Sequence, residues 1–111
     1  KVIRYADVLL MAAEAHSRTG NDGLALGYLK QVRDRVDMPE INSGGNQLTD
    51  DILQERIYEL SGEGHRFFDL VRTERAADEI DGFVTGKHEL FPIPQLEIDL
   101  AGGNWQQNNQ Y

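Results

Sequence analysis

The stretch RYADVLLMAAEAHSR (residues 4–18) decides the fold class of this chain. It contains no glycine or proline, and its apolar residues recur at helical spacing, which predicts an α-helix. The repeating positions are Tyr5, Val8, Leu9, Ala12 and Ala15. Leu10, Met11 and Ala13 widen this apolar stripe. A stripe this wide predicts a helix that is buried between neighbours, and its alanines allow another helix to approach closely.

A second helix follows after a short link. Gly20 is expected to end the first helix, and Asn21 or Asp22 is expected to cap the second. The apolar stripe of the second helix comprises Leu24, Ala25, Tyr28, Leu29, Val32 and Val36. The complementary faces predict an antiparallel helical hairpin over residues 3–36. The hairpin matches most size classes of one tetratricopeptide-like unit, and such a unit needs stacked neighbours to bury its apolar face.

Residues 37–48 (DMPEINSGGNQL) predict a loop, because proline and two glycines stand in a polar setting. A helix pair is predicted over residues 49–79. Its first member begins at the N-cap Thr49, and its second runs from His65 through Arg72 to about Glu79.

Residues 80–111 are predicted to form an extended segment and a tail. The two prolines of ELFPIP (residues 89–94) keep that stretch out of the α region, and residues 95–100 could form one helical turn. The predicted fold class is therefore mainly α, with tetratricopeptide-like helical hairpins and an irregular extended C-terminal segment.

Composition excludes several classes of function. The chain has 111 residues and a net charge of −8 without a basic cluster, which argues against a nucleic-acid partner. It has no cysteine, so disulfides and thiolate metal sites are excluded within it. No apolar run is long enough to span a membrane, and no signal peptide is visible. The chain opens at Lys1 directly into a helical pattern, so we expect a piece of a longer protein.

Three segments occur in an order that resembles a known family. They are RYADVLLMAAEA (residues 4–15), EGHRFFDLVR (63–72) and LFPIPQLEIDL (90–100), the last followed by Gln107, Asn108 and Tyr111. Together they resemble the C-terminal part of the SusD/RagB family. The resemblance implies a nutrient-binding lipoprotein of Bacteroidota at the outer membrane, facing the cell surface. It implies binding of a glycan, delivery to a SusC-like TonB-dependent transporter barrel, and an N-terminal lipid anchor outside this chain.

A dense polar cluster precedes and enters the predicted fourth helix. Its members are Glu59, Glu63, His65, Arg66, Asp69 and Arg72. Arg66 and Arg72 each lie three residues from Asp69, which is ordinary ion-pair spacing on a helix. We therefore expect a structural network that fixes the corner between the third and fourth helices. An acid–base enzyme that uses Glu63 and His65 is the alternative reading of this cluster.

Other chemistries lack their patterns. His16, His65 and His88 are scattered without metal-ligand spacing, so we expect no metal. The glycine pairs are not followed by a phosphate-binding lysine and helix, and no serine stands in a nucleophile elbow. The sequence therefore predicts no cofactor, no catalytic residue and no enzyme.

Trp105 is the candidate residue for glycan contact. A tryptophan among amide side chains could form a platform for a sugar ring, whereas the alternative is an anchor that packs the tail. Phe67, Phe68 and Phe91 are expected in the core.

Two functional hypotheses from different classes stay open. The first is glycan capture, with this segment mainly structural. The second is a helical-repeat scaffold that binds a protein partner without sugar. The extended residues 89–100 favour the first, because a plain repeat scaffold does not need them. We also expect the isolated piece to self-associate or to bind a hydrophobic dye.

Overall fold

The computed structural model describes residues 3–111. This part of the chain contains helices and no β-strand, so the prediction of a mainly α fold is confirmed. The helices are α1 Tyr5–Arg18, α2 Asp22–Asp34, α3 Gly45–Glu59, α4 Arg66–Arg72, α5 Ala76–Glu79 and α6 Gln95–Leu100. The chain divides into two compact units, Lys1–Arg66 and Phe67–Tyr111.

The first unit is built around α1, which packs against both α2 and α3. α1 and α2 form the predicted tetratricopeptide-like hairpin. The largest fully buried side chains of the unit are Leu10, Leu29, Val32, Leu48 and Ile52. Burial of each such side chain contributes about 1.5–3 kcal/mol, so the unit has a genuine hydrophobic core.

The end of α1 follows the prediction. Gly20 adopts a positive φ of 76°, and the Asn21 N–H donates to the His16 carbonyl at 2.8 Å. This six-to-one hydrogen bond belongs to a Schellman motif, which requires the left-handed conformation that glycine adopts without strain. Asn21 then occupies the N-cap position of α2.

α3 begins at Gly45, inside the predicted loop 37–48, so that loop was predicted too long. The Gly45 N–H donates to Asp22 Oδ2 at 2.8 Å, and Leu48 is fully buried. Tertiary contacts thus stabilise a helical turn that local sequence does not favour. Thr49, the predicted N-cap, lies within the helix instead, and its hydroxyl shares a 2.7 Å hydrogen bond with that of Ser17.

α4 ends at Arg72, although the sequence predicted a helix to about Glu79. Glu74 adopts a left-handed φ of 59°, and the Arg75 N–H donates to the Leu70 carbonyl at 2.9 Å. This is again a Schellman termination, but with glutamate where glycine is usual. Because no glycine marks the stop, the sequence pattern missed it.

The second unit consists of short helices joined by turns. Its buried apolar side chains are Leu70 and Ala76, and Phe67 is half-buried against the rings of Phe83 and Phe91. The prediction that Phe68 and Phe91 are core residues is wrong for this structure, because they are 63% and 71% exposed. The short helices bring too little apolar surface over these rings to cover them.

The extended segment of the second unit agrees with the prediction in its central part. Residues 91–94 have no regular secondary structure, and α6 occupies the predicted helical turn. The proline residues at 92 and 94 fix φ, which keeps the backbone extended up to the first turn of α6.

Candidate functional site

α3 is joined to α1 and α2 by ion pairs. Arg56 Nη1 donates to Asp7 Oδ1 at 2.8 Å, and both side chains are buried. Arg33 of α2 pairs in the same way with Glu55. Buried charges are tolerated only when they are paired and hydrogen-bonded, so these contacts fix how the three helices pack.

The predicted polar cluster is brought together in part, around a residue that sequence reasoning missed. Arg4 Nε donates to both carboxylate oxygens of Glu63 at 2.9 Å, and Arg4 Nη1 donates to Glu59 Oε1 at 2.8 Å. Arg4 Nη2 also donates to the Glu59 carbonyl at 2.7 Å. Arg35 reaches the other oxygen of Glu59 at 2.5 Å. One guanidinium thus joins the start of α1 to the residues that end and follow α3.

The electrostatics of this cluster follow from the hydrogen bonds. Those from the Arg4 guanidinium lower the pKa of the Glu63 carboxyl, and the positive charge of Arg4 lowers it further. The hydrogen bonds to Glu63 and Glu59 raise the pKa of Arg4. A general acid needs a raised carboxyl pKa to hold its proton near neutrality, whereas Glu63 is held ionised. The arrangement of Glu63 therefore suits an ion pair.

The remaining predicted members lie on or next to α4. Arg72 Nη2 and Asp69 Oδ1 are 2.7 Å apart, in the three-residue spacing that the sequence predicted. Arg66 is the first residue of α4, and His65 directly precedes it. That all six residues form one network stays a prediction. Arg4 and Arg35 carried no local signal, because they lie 59 and 24 residues from their carboxylate partners.

The tail holds the extended segment through its side-chain amides. Gln107 Oε1 accepts the Ile93 N–H at 2.7 Å, while Gln107 Nε2 donates to the Ile93 carbonyl at 2.8 Å. Asn108 Nδ2 donates to the Phe91 carbonyl at 2.6 Å, and the Tyr111 hydroxyl donates to the Leu90 carbonyl at 3.0 Å. We call these contacts the tail clasp. Gln107, Asn108 and Tyr111, which carried the family resemblance, therefore have a structural role here.

Trp105 lies just before the tail clasp and is 52% exposed. Its ring is accessible enough to meet a sugar face. The amides of Gln107 and Asn108 are engaged with the main chain, so they are less available to sugar hydroxyls.

A cavity of about 470 Å³ in the second unit was not predicted from the sequence. Phe83, Glu74, Thr85 and Glu89 contribute to its lining. The Gly86 N–H donates to both carboxylate oxygens of Glu89, at 3.0 and 2.8 Å, and lowers the pKa of that carboxyl. An aromatic wall beside two carboxyl groups and a hydroxyl could accommodate a small polar molecule.

Two of the three histidines make contacts within their own units. His16 stacks on Tyr28 with ring centroids 5.6 Å apart, and His88 Nδ1 accepts the Val84 N–H at 2.9 Å. Within residues 3–111, no group of three or more His, Asp and Glu side chains is placed to hold a metal ion. No helix in the same range is long and apolar enough to cross a bilayer.

The fold places the chain among helical proteins built from tetratricopeptide-like hairpins. The family model described as SusD family matches residues 1–89. The chain therefore belongs to the SusD family, and the resemblance seen in the sequence is confirmed.

Several known proteins are similar to this chain. SusD-like protein P38 of Formosa agariphila is 39% identical over 95 residues, which cover 77% of this chain and 19% of that protein. A SusD homologue of Bacteroides thetaiotaomicron is 34% identical with a TM-score of 0.87, over 97% of this chain and 25% of its own. Surface glycan-binding protein A of the same species is 38% identical with a TM-score of 0.83, and the match covers 98% of this chain and 24% of that protein. The chain thus spans about a fifth to a quarter of the length of these relatives.

Proposed function

We propose that this chain is the C-terminal helical segment of a longer protein that binds a polysaccharide or oligosaccharide at the outer membrane surface. The observation that carries the proposal is its similarity to surface glycan-binding protein A, at 38% identity and a TM-score of 0.83 over 98% of this chain. Membership of the SusD family supports the same function. The whole protein would hold its ligand by equilibrium binding and deliver it to a SusC-like TonB-dependent transporter.

Within that protein, the role of this segment is mainly structural. The buried pair Asp7–Arg56 joins α1 to α3, and Arg4 joins the start of α1 to Glu59 and Glu63. The tail clasp likewise uses its amides on the main chain. The protein is a binding protein and not an enzyme, and a lipid anchor upstream of this chain attaches it to the membrane.

The test is glycan binding by the full-length protein. Purified protein is incubated with a panel of insoluble polysaccharides in pull-down assays, and soluble oligosaccharides are titrated by calorimetry. We expect at least one glycan to bind. The Trp105→Ala variant should retain its affinity if the segment is structural, and the adjacent Gln106→Ala variant is the matched control.

Two outcomes would contradict the proposal. Failure to bind any glycan, together with capture of a peptide ligand, would favour the protein-binding scaffold. A native product without an acylated N-terminus, measured by intact mass from the source membrane, would contradict the lipoprotein assignment while leaving glycan binding to be judged separately.

A further inference from the structure

The chain contains two Asp-Gly pairs, Asp22-Gly23 and Asp81-Gly82, and no Asn-Gly pair. An aspartate followed by glycine is the one most open to rearrangement through a cyclic imide, because glycine has no side chain to hinder attack by its own nitrogen. The sequence does not distinguish the two pairs. They differ in the structure, where the first lies in a helix and the second in a turn.

Asp81 and Gly82 form the corner of an exposed turn that follows α5. The Phe83 N–H donates to the Ile80 carbonyl at 3.1 Å across this corner. Gly82 has a φ of 77°, the positive value that a type II β-turn requires at its third position. Within residues 3–111, the Asp81 carboxylate has no hydrogen-bond or ion-pair partner, and the Gly82 N–H has no acceptor. Both reacting groups are therefore accessible and unengaged.

Asp22 and Gly23 lie in the first turn of α2, where both the main chain and the carboxylate are held. The Ala25 N–H donates to the Asn21 carbonyl at 3.1 Å, across the pair. Asp22 Oδ2 accepts the Gly45 N–H at 2.8 Å, and Oδ1 is buried. The Gly23 nitrogen can reach the Asp22 Cγ only if the main chain and the side chain both rotate. That rotation breaks both hydrogen bonds, so the fold opposes the reaction here.

We propose that Asp81 is a site of spontaneous isoaspartate formation and that the fold protects Asp22 from the same reaction. The Gly82 nitrogen attacks Cγ of the protonated Asp81 carboxyl group and forms a C–N bond. The carboxyl hydroxyl leaves as water with the amide proton, which gives a succinimide. Water then opens this ring: cleavage of its bond to Cγ regenerates aspartate, and cleavage of its bond to the main-chain carbonyl carbon gives isoaspartate. The water lost is regained, so no oxidant, reductant or enzyme is needed.

The product alters the chain next to the aromatic contacts of the second unit. Isoaspartate inserts one methylene group into the main chain and leaves the free carboxylate on Cα. Phe83 follows directly after the pair, and its ring centroid lies 6.4 Å from that of Phe67. A longer turn should weaken the hydrogen bond from the Phe83 N–H and shift its ring. The inference does not depend on the proposed function, because the reacting groups belong to this chain alone.

The two pairs provide a matched test within one molecule. The full-length protein is incubated for weeks in oxygen-18 water, either folded or in guanidinium chloride, and is then digested in ordinary water. Mass spectrometry detects the oxygen-18 that ring opening introduces, and electron-transfer dissociation distinguishes isoaspartate from aspartate. In denaturant, both pairs should react at similar rates. In the folded protein, we expect Asp81 to react several-fold faster than Asp22, whose rearrangement must first open the start of α2.

Equal rates at the two sites of the folded protein would overturn the proposal, and so would an Asp81 that reacts only in denaturant. Asp81→Glu is the control variant. It keeps the negative charge, but attack by the next nitrogen would have to close a six-membered ring, which forms much more slowly. We expect this variant to lose isoaspartate at position 81 and to leave the rate at Asp22 unchanged. Isoaspartate that persists in the same peptide of Asp81→Glu would contradict the assignment to Asp81.

Discussion

Each of the two units of the chain is stabilised internally by a different kind of interaction. In the first unit, Leu10, Leu29 and Ile52 are almost completely buried among three helices. In the second unit, the buried apolar side chains of the described residues are Leu70 and Ala76 alone. Aromatic ring contacts and the hydrogen bonds of the tail clasp connect its segments instead.

The difference shows that order does not require a core of the same size everywhere. Hydrophobic burial is non-directional and scales with area, so it stabilises the long helices of the first unit. Hydrogen bonds contribute less net free energy each but fix positions, so they can order a segment with few buried side chains. The following experiments test this contrast, from the largest expected effect to the smallest.

Breaking the buried pair Asp7–Arg56 should have the largest effect. Arg56→Met leaves a buried carboxylate without this partner, which typically costs about 3–5 kcal/mol of the free energy of unfolding. Urea denaturation followed by far-UV circular dichroism measures the loss. The double variant Asp7→Leu/Arg56→Met is the control and should recover most of the stability. A double variant as unstable as the single one would show that packing, and not charge, is responsible.

Leu29→Ala should cost nearly as much, because it opens a cavity in the core of the first unit. Large-to-small substitutions at buried leucines destabilise by about 2–5 kcal/mol. Leu96→Ala, at an exposed position of α6, should change stability by less than about 0.5 kcal/mol. Chemical denaturation of both variants sharpens the comparison. If Leu96→Ala proves as harmful, the second unit contains more hydrophobic stabilisation than its exposure indicates.

Gln107→Leu tests the tail clasp. It removes both hydrogen bonds to Ile93, and a main-chain group left unsatisfied costs about 1–3 kcal/mol when it is buried from water. Amide hydrogen exchange should become faster at Ile93 and stay unchanged in α1. The neighbouring Gln106→Leu serves as control and should leave exchange at Ile93 as it was. Unchanged exchange in Gln107→Leu would mean that the prolines alone order the segment.

The smallest effect concerns acid. The pKa of Glu63 is lowered in the folded protein from its ordinary 4.5, so its pairing with Arg4 stabilises the fold above that pH. This stabilisation is lost as the pH falls through the lowered pKa. Glu63→Gln should therefore reduce the melting temperature slightly near neutrality and not in strong acid. A difference that persists below the lowered pKa would show that charge is not the cause.

Long apolar periodicity was sufficient to predict the hairpin, because α1 and α2 depend on repeated local spacing. Helix ends that depend on tertiary contacts or on backbone strain could not be predicted from this periodicity. α3 begins at Gly45, whose N–H is accepted by Asp22, and α4 stops at a left-handed Glu74 rather than at a glycine. Both events depend on partners or strain that a sequence window does not contain.

The polar cluster shows the same limit. Asp69 and Arg72 were predicted correctly as a pair because they lie on one helix. Arg4 was missed as the partner of Glu59 and Glu63, since only the packing of α1 against α3 brings them together. The exposure of Phe68 and Phe91 was likewise missed. Residue type indicates that an aromatic ring tends to be buried, but it does not indicate whether enough of the chain packs around the ring to bury it.

The tail clasp has an evolutionary consequence. Gln107 binds the main-chain N–H and carbonyl of residue 93, and because Pro92 and Pro94 have no N–H, that N–H is the one main-chain donor of residues 92–94. The side chain at position 93 contributes nothing to this recognition. Position 93 should therefore accept many residue types but not proline, while position 107 should retain an amide. Substitutions at these two sites are therefore expected to be asymmetric, with many residue types at position 93 and few at position 107.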